Sequence, residues 1–239
     1  MQKNQNNINY QKELDKLIEK ITAEAYTPSL ILHSCCAPCS SYVIEYLSDF
    51  FNITVFYYNP NLYPDEEYAK RSQEQKKLIE NIKTKNKVSF LQGDFEKDEF
   101  YALCKGLENE PECGLRCLKC YELRLSKTAK KAQFLNADYF ATTLTISPMK
   151  RASDINNIGE KISKNLGIKY LASDFKKKNG YKRSTELSNE YGIYRQDYCG
   201  CIFSVREKSK TQEKSKAVWL ILEHLTTTVI LLTNYFLTT

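Results

Sequence analysis

Short apolar or β-branched segments alternate with longer amphipathic segments along most of this chain. The short segments are bounded by turn residues and predict strands at 29–34, 52–60, 87–94, 137–145 and 168–173. The longer segments have helical spacing and predict helices at 8–25, 65–84, 96–106, 117–134 and 154–165. Helices between strands form crossovers, and crossovers connect parallel strands. The alternation therefore predicts an α/β fold, Rossmann-like or HUP-like, with a mostly parallel sheet and helices on both faces.

The α/β pattern ends near residue 208, so we expect one catalytic domain over residues 1–208 and a C-terminal tail over 209–239. Within the tail, 217–239 contains roughly twenty mostly apolar residues, which approaches the length of a membrane span. Glu223, His224 and several threonines disfavour insertion into a bilayer. A docked helix is the favoured interpretation, and a membrane anchor is the alternative.

The composition of the N-terminus and the cysteine count indicate a reducing compartment. Residues 1–28 are polar and charged and lack the apolar region of a secretory signal, so we expect a cytoplasmic protein. The chain has nine cysteines, an odd number that cannot all form pairs. In the cytoplasm, clustered cysteines bind metal or take part in redox chemistry more often than they cross-link a fold.

The charge is distributed unevenly along the chain. Residues 1–115 carry 13 Lys and Arg against 18 Asp and Glu, whereas residues 116–216 carry 22 against 10. A basic half of this kind favours a polyanionic partner such as nucleic acid. The alternative is that these lysines only keep helix faces hydrated.

Two cysteine pairs lie where the predicted fold would bind a ligand. Cys35 and Cys36, in "ILHSCCAPCSSYV", follow the first strand, and ligands of parallel sheets lie beyond the carboxyl ends of the strands. Cys117 and Cys120, in "GLRCLKCYELRL", form a C-x-x-C motif at the start of a helix, where the helix dipole favours thiolates. Four thiolates suit a structural zinc or an iron–sulfur cluster. Adjacent cysteines fit a compact zinc module poorly, which favours the cluster.

A third pair, Cys199 and Cys201, lies in "YRQDYCGCIFS" with one glycine between the two thiols. Such a pair can close into a small strained ring, and strained disulfides are the labile or catalytic ones. Glycine tolerates the backbone angles that this ring needs. The pattern favours a redox pair, and two buried or metal-binding thiols are the alternative.

The other cysteines and one histidine have weaker signals. Cys39 is either a spare ligand or a small residue at the start of a helix, and Cys104 has the spacing of a core residue. Cys113 is either close enough to reach a metal site or a passive loop thiol. His33 precedes the cysteine pair and either supports the site or packs within the strand.

Five motifs together resemble the QueH-type epoxyqueuosine reductases. They are "LHSCCAPCSSYVIEYL", "NPNLYPDEEYAKR", "GLRCLKCYELRL", "YFATTLTISPMK" and "DFKKKNGYKRS" followed by "YGIYRQDYCGC", and the match runs in consistent order through residues 30–206. The resemblance implies reduction of the epoxide of epoxyqueuosine at the wobble position of the tRNA anticodon, which yields queuosine. It further implies a tRNA partner and an electron donor that the sequence does not identify.

The resemblance also implies roles for the cysteines. Cys35, Cys36, Cys117 and Cys120 are expected to hold a [4Fe-4S] cluster, and Cys199 and Cys201 to form a redox-active disulfide. An additional mononuclear iron belongs to the family pattern, with ligands that the sequence does not assign. Two positions depart from that pattern, since Cys113 stands where a glycine is expected and Arg151 where an asparagine is usual.

The substrate is expected to contact two segments. In "DFKKKNGYKRS", interpreted as a loop, basic side chains suited to phosphate contacts surround a tyrosine that can stack on an unpaired base: Lys176, Lys177, Lys178, Lys182 and Arg183 around Tyr181. In the segment after the second strand, the candidates for lining the pocket are Tyr63, Glu67 and Arg71. Candidates for delivering a proton are Tyr194, Asp197 and Tyr198.

Two other functions compete with this interpretation. A tRNA-modifying transferase of the ATP-pyrophosphatase type would need a glycine-containing phosphate loop after the first strand, and "SCCAPCSS" contains no glycine. A zinc-stabilised RNA-binding protein without catalytic activity is the second alternative, and the metal content distinguishes it from the reductase.

Overall fold

The computed structural model describes residues 8–24, 26–207, 209 and 219. Contacts divide the chain into two compact units, one ending at Gln196 and one beginning at Asp197. The predicted tail from 209 onward, and the expectation of a docked helix or anchor at 217–239, fall outside the described residues apart from 209 and 219. Within the described residues, no helix combines the length and apolar character that crossing a membrane requires.

The first unit is an α/β structure with a five-stranded sheet. Its strands are β1 (Ser29–His33), β2 (Asn52–Tyr57), β3 (Val88–Gln92), β4 (Tyr139–Thr142) and β5 (Lys169–Tyr170). Its helices are α1 (Tyr10–Ala23), α2 (Ala37–Leu47), α3 (Asp65–Asn81), α4 (Lys97–Cys104), α5 (Leu115–Phe134), α6 (Ala152–Leu166) and α7 (Gly180–Glu190). The strand order is β3-β2-β1-β4-β5, and every pairing is parallel. The predicted fold class is confirmed.

The central strand β1 is the point at which the chain changes direction across the sheet. From β1 the chain adds β2 and β3 on one side and then returns to add β4 and β5 on the other. In open α/β sheets, the ligand crevice lies beyond the carboxyl ends of the strands at this switch point. The last residue of β1, His33, pairs with Phe56 of β2 and with Thr142 of β4. Residues that directly follow these three strands therefore meet at one edge of the sheet.

The core explains why the strands have continuous apolar sequences instead of an alternating pattern. Leu30 and Leu32 of β1 are fully buried in the core cluster that includes Val43 and Ile44 of α2. On the opposite face of β1, Ile31 is also buried. A parallel strand covered on both faces has no solvent side, so its sequence does not need polar residues.

Helix α7 corrects the sequence-based prediction that residues 176–183 form a loop. Residues 176–179 are indeed non-helical, but Tyr181, Lys182 and Arg183 belong to the first turn of α7. The buried face of this helix contains three small residues and one leucine: Gly180, Ser184, Ser188 and Leu187. Only Leu187 among these residues is large and apolar, so the start of the helix lacks the apolar positions that would distinguish it from a polar loop in the sequence.

The small residues allow α7 to pack closely against α2. A Cβ atom added to Gly180 would lie 2.0 Å from the carbonyl oxygen of Phe175 and 2.4 Å from Cε1 of Tyr42. Tyr42 belongs to α2, the helix that begins directly after Cys36. The glycine is therefore required by packing against its neighbours.

We expect Gly180→Ala to destabilise the protein by about 1–3 kcal/mol, because the added methyl group must displace backbone as well as a tyrosine ring. Urea unfolding followed by circular dichroism measures the change in the midpoint. The matched control is Asn189→Ala on the exposed side of the same helix, which should change the free energy of unfolding by no more than about 0.5 kcal/mol. Equal midpoints for the two variants would contradict the packing argument.

Candidate functional site

Three thiols converge at the carboxyl end of β1. The Sγ atoms of Cys35, Cys36 and Cys39 all lie within 4.8 Å of one another, a geometry that could hold a metal ion. Cys36 is the N-cap of α2, and Cys39 lies on the first turn of that helix, so helical spacing brings its thiol back to the pair. Of the two interpretations of Cys39, the structure supports the one in which its thiol belongs to the site.

The pKa values of the three thiols are shifted in different directions. Hydrogen bonds from the thiols of Cys36 and Cys39 hold the pKa of Cys35 well below its usual value, and the positive charge of Arg124 lowers it further. Donation to Cys35 raises the pKa of Cys36 to about 12, and the pKa of Cys39 is raised for the same reason. Cys35 is thus the one of the three thiols whose pKa is lowered, and the hydroxyl of Thr143, directly after β4, lies 3.6 Å from its Sγ atom.

A buried polar network lies beneath the cysteine turn. Nε of Arg124, on α5, donates to Nε2 of His33 at 3.1 Å, and its Nη2 donates to Oδ1 of Asn59 at 2.5 Å. The Nδ2 atom of Asn59 donates to the carbonyl of Ser34 at 2.9 Å. Burial lowers the pKa of His33 to about 3, and the charge of Arg124 acts in the same direction. His33 is thus a neutral member of this network.

The second cysteine pair lies on the same helix as Arg124. Helix α5 leads into β4 and so runs antiparallel to the strands, with its N-terminus at their carboxyl ends. Cys120 precedes Arg124 by four residues and Cys117 precedes it by seven, a spacing that puts all three on one helix face. Cys120 and Cys117 therefore lie about 6 Å and about 10 Å from Arg124 along the helix axis, on its N-terminal side. Among the described residues, the group of thiols within 4.8 Å of one another contains Cys35, Cys36 and Cys39 and does not include this pair. Cys120 is buried and Cys117 is partly exposed.

Two further thiols on this side of the sheet have contrasting environments. Cys104 is 2% exposed, and burial raises its pKa to about 11, which agrees with the predicted core position. Cys113 has a φ angle of 65°, in the left-handed region that favours glycine. Its N–H donates to Sγ of Cys117 at 3.3 Å, and its thiol donates to the carbonyl of Met149 at 3.0 Å. The loop before α5 is therefore tied to the C-x-x-C motif.

The third cysteine pair lies in the second unit. The thiol of Cys199 is within hydrogen-bonding range of Cys201, and this contact is the main cause of the raised pKa of Cys201, with burial second. Gly200 between them has a φ angle of 92°, which agrees with the expected need for glycine. Its N–H donates to Oγ of Ser204 at 3.2 Å, and the N–H of Ser204 donates to Sγ of Cys201 at 3.4 Å. Asp197 is the first residue of this unit.

Polar residues of α3 approach the cysteine turn from the side of β2. Glu67 and Arg71 form a buried ion pair at 2.7 Å, and Oη of Tyr194 lies 3.4 Å from the Glu67 carboxylate. The charge of Arg71 reaches Cys36, whose pKa it lowers against the stronger opposing effects. Tyr63, before α3, is 40% exposed.

Sequence reasoning missed Gln75, which lies one turn beyond Arg71 on α3. Its Oε1 atom accepts hydrogen bonds from Oγ of Ser34 at 2.6 Å and Oγ of Ser40 at 2.8 Å, so it connects α3 to both sides of the cysteine turn. The available signal was a polar stripe, because Glu67, Arg71 and Gln75 follow one another at intervals of four residues on a helix face that is buried.

Some of the predicted phosphate-binding residues form ion pairs with acidic residues of this chain, and others are exposed. Nζ of Lys176 contacts Asp174 at 2.5 Å, and Nζ of Lys178 contacts Asp15 at 2.8 Å. Arg183 binds Glu45 of α2 at 2.6 Å, which raises its pKa. Lys177, Tyr181 and Lys182 are exposed. The exposed residues are the ones most available to a partner.

Comparisons with known proteins relate this chain to one enzyme family. The model of the family described as "Epoxyqueuosine reductase QueH" matches residues 30–207. A relative of that name from Streptococcus pyogenes is 46% identical, over 83% of this chain and 79% of its own length. Relatives of the same name from Staphylococcus epidermidis and Thermotoga maritima are 42% and 33% identical, over 84% and 75% of this chain and 86% and 92% of their own lengths.

Among solved structures, NMN synthetase from Francisella tularensis aligns with a TM-score of 0.35 and 10% identity, over 82% of this chain and 89% of its own. The family model and the curated relatives both cover most of the chain and carry one description. The chain belongs to the epoxyqueuosine reductase QueH family.

Proposed function

We propose that this chain is an oxidoreductase that reduces the epoxide of epoxyqueuosine in tRNA to the alkene of queuosine. The reaction removes the epoxide oxygen as water and consumes two electrons and two protons. The observation that carries this proposal is the group of three thiols at the switch point of the sheet, in a chain that belongs to this family. The family relationship supports a cytoplasmic, tRNA-modifying role for the protein.

The proposed cofactor is a [4Fe-4S] cluster bound by Cys35, Cys36, Cys117 and Cys120. The chemistry of the donors fits such a group, because both pairs are thiols at the same edge of the sheet and the pKa of Cys35 is lowered well below its usual value, which favours metal binding by its thiolate. Cys39 is a fifth thiol in this region, which makes it a candidate ligand for an additional iron. When bound, the iron centre would supply single-electron transfer and Lewis acidity toward the epoxide oxygen.

The proposed source of the electron pair is the dithiol of Cys199 and Cys201. Its oxidation forms one disulfide bond and releases two electrons and two protons, which balances the loss of one oxygen atom from the substrate as water. The interaction between the two thiols, and the left-handed Gly200 between them, support this role. An external donor must then reduce the disulfide before the next turnover.

The direct test is a turnover assay on protein purified without oxygen. Epoxyqueuosine-containing tRNA is incubated with the enzyme and a chemical reductant, and the nucleosides are analysed by mass spectrometry for loss of one oxygen atom. Iron and sulfide analysis and a broad absorption at about 400 nm report the cluster. Stoichiometric zinc without iron or sulfide, together with tRNA binding but no product, would favour the zinc-stabilised binding protein instead.

The substrate is proposed to contact the segment around α7 through its phosphates. We expect neutralisation of Lys176, Lys177 and Lys178 to glutamine to weaken tRNA binding and to reduce the slope of log affinity against log salt by about 0.7–0.9 for each lost phosphate contact. Binding measured across a salt series gives the slope. Lys177 alone should account for much of the change, because Lys176 and Lys178 already contact Asp174 and Asp15.

The matched control replaces the exposed residues Lys83, Lys85 and Lys87 with glutamine. These lysines precede the amino end of β3, at the edge of the sheet opposite the carboxyl ends of the strands. Their replacement removes the same number of positive charges as the first triple variant. Equal salt slopes for the two triple variants would show that 176–178 is only a hydrated surface.

A further inference from the structure

We infer that Arg124 holds a permanent positive charge against the proposed cluster and thereby raises its reduction potential. This inference rests on the proposed function, because it requires a cluster at the cysteine site. It concerns Arg124, which lies within the segment "GLRCLKCYELRL" and to which the family resemblance assigns no role. It is a positioning role, since Arg124 acts on the electron-transfer properties of the site and not on the substrate.

The position of the guanidinium is fixed by two buried hydrogen bonds. One anchor is His33, the last residue of β1, and the other is Asn59, two residues after β2. Asn59 in turn binds the carbonyl of Ser34, the residue immediately before Cys35. Arg124 is therefore held by His33, two residues before Cys35, and by Asn59, which binds the residue directly before Cys35. The side chain of Arg124 is buried, with 2% of the residue exposed.

Both anchors are uncharged, so these two bonds leave the charge of the guanidinium in place. The guanidinium can only donate, so Nε2 of His33 accepts from Arg124, which assigns the proton of the neutral imidazole to Nδ1, 2.8 Å from Oγ1 of Thr142. In this tautomer the 3.2 Å approach of Nε2 to the carbonyl of Tyr58 is not a hydrogen bond. An asparagine anchor has no charge in any state. A buried charge acts through a low effective dielectric, so its effect on a nearby group is larger than at the surface.

The charge of Arg124 lies near both cysteine pairs of the proposed cluster. Through Asn59 and the carbonyl of Ser34 the guanidinium is tied to the residue that precedes Cys35, and Arg124 shares a helix face with Cys120 and Cys117. Reduction adds one negative charge to a cluster. A fixed positive charge nearby therefore stabilises the reduced form more than the oxidised form, and the reduction potential rises. Net charge near a cluster is one of the factors that set its potential.

The test compares two variants of the same helix. Arg124→Gln removes the buried charge, and the matched control Lys127→Gln removes a charge one turn farther along α5, where the lysine is partly exposed and bound to Glu96 and Glu99. The readout is the cluster potential from a redox titration followed by electron paramagnetic resonance. We expect Arg124→Gln to disfavour reduction at least tenfold, about 59 mV for one electron, and Lys127→Gln to shift it less than half as much.

The outcomes separate this inference from the proposed function. Wild-type protein without iron and sulfide would overturn both. A loaded Arg124→Gln variant whose potential shifts no more than that of the control would overturn the inference alone. If Arg124→Gln loads no cluster, Arg124→Lys decides, because it keeps the charge but not the fork of bonds. A reduction potential of Arg124→Lys close to that of the wild type supports the role of the charge. If reduction of Arg124→Lys is disfavoured tenfold, or if this variant also binds no cluster, Arg124 only stabilises the local structure and the inference is wrong.

Discussion

Serine at either position of the Cys199–Cys201 pair is expected to abolish turnover, while iron content, fold and tRNA binding are retained. The hydroxyl of serine matches the thiol in shape but cannot be oxidised to a disulfide, so the electron pair has no carrier. Each variant is assayed with epoxyqueuosine-containing tRNA under conditions of multiple turnover. The matched control is Cys113→Ser, which changes a partly exposed thiol outside the proposed redox pair and should retain turnover.

A single-turnover experiment tests the same assignment in the wild-type protein. After one turnover without added reductant, alkylation and mass spectrometry should find Cys199 and Cys201 joined in a disulfide. Product formed with both thiols still reduced would rule out the dithiol as the electron source. A serine variant that turns over at the wild-type rate would lead to the same conclusion.

Replacing any one of Cys35, Cys36, Cys117 or Cys120 with alanine is expected to remove most of the iron and sulfide from protein purified without oxygen. A cluster bound by three protein thiolates loses one iron–sulfur bond, and the open corner is readily attacked. Iron and acid-labile sulfide per chain measure the effect. Cys104→Ala is the control, because this thiol is buried in the core next to α5 and should be silent. Full cluster content in Cys117→Ala would show that the proposed ligand set is wrong.

Cys39→Ala extends this experiment to the fifth thiol. If Cys39 binds an additional iron, its loss should reduce the iron content by about one atom per chain and leave the sulfide content unchanged. Loss of sulfide as well would instead make Cys39 a ligand of the cluster. The two results therefore assign Cys39 to different iron sites, the additional iron or the cluster.

The sheet could be predicted from the sequence because each buried strand is a short apolar run, and long crossovers leave little choice of topology. The cysteine turn could also be placed, since the carboxyl end of the first strand is where such folds bind ligands. The ligand roles of the cysteines rested on the family resemblance as much as on spacing. The spacing alone left zinc and a cluster as alternatives.

Other features could not be predicted, for identifiable physical reasons. The start of helix α7 was read as a loop because its buried face carries a single large apolar residue, Leu187, beside Gly180, Ser184 and Ser188. The convergence of Cys39 with the cysteine pair depends on the first turn of α2, a geometric detail that composition does not report. The network of Arg124, His33 and Asn59 joins residues up to 91 positions apart, and no local pattern records such a contact.

The position of β1 between β2 and β4 has a consequence for synthesis on the ribosome. The side chains of Ser29 and Asp138, which join β1 to the start of β4, are 109 residues apart. At about 5–20 residues per second, translation takes roughly 5–22 s to supply the second neighbour of the central strand. During that interval an apolar strand has one unpaired edge, and α5, which packs against β1, is completed only shortly before β4. We therefore expect the nascent chain to depend on chaperones until β4 has been made.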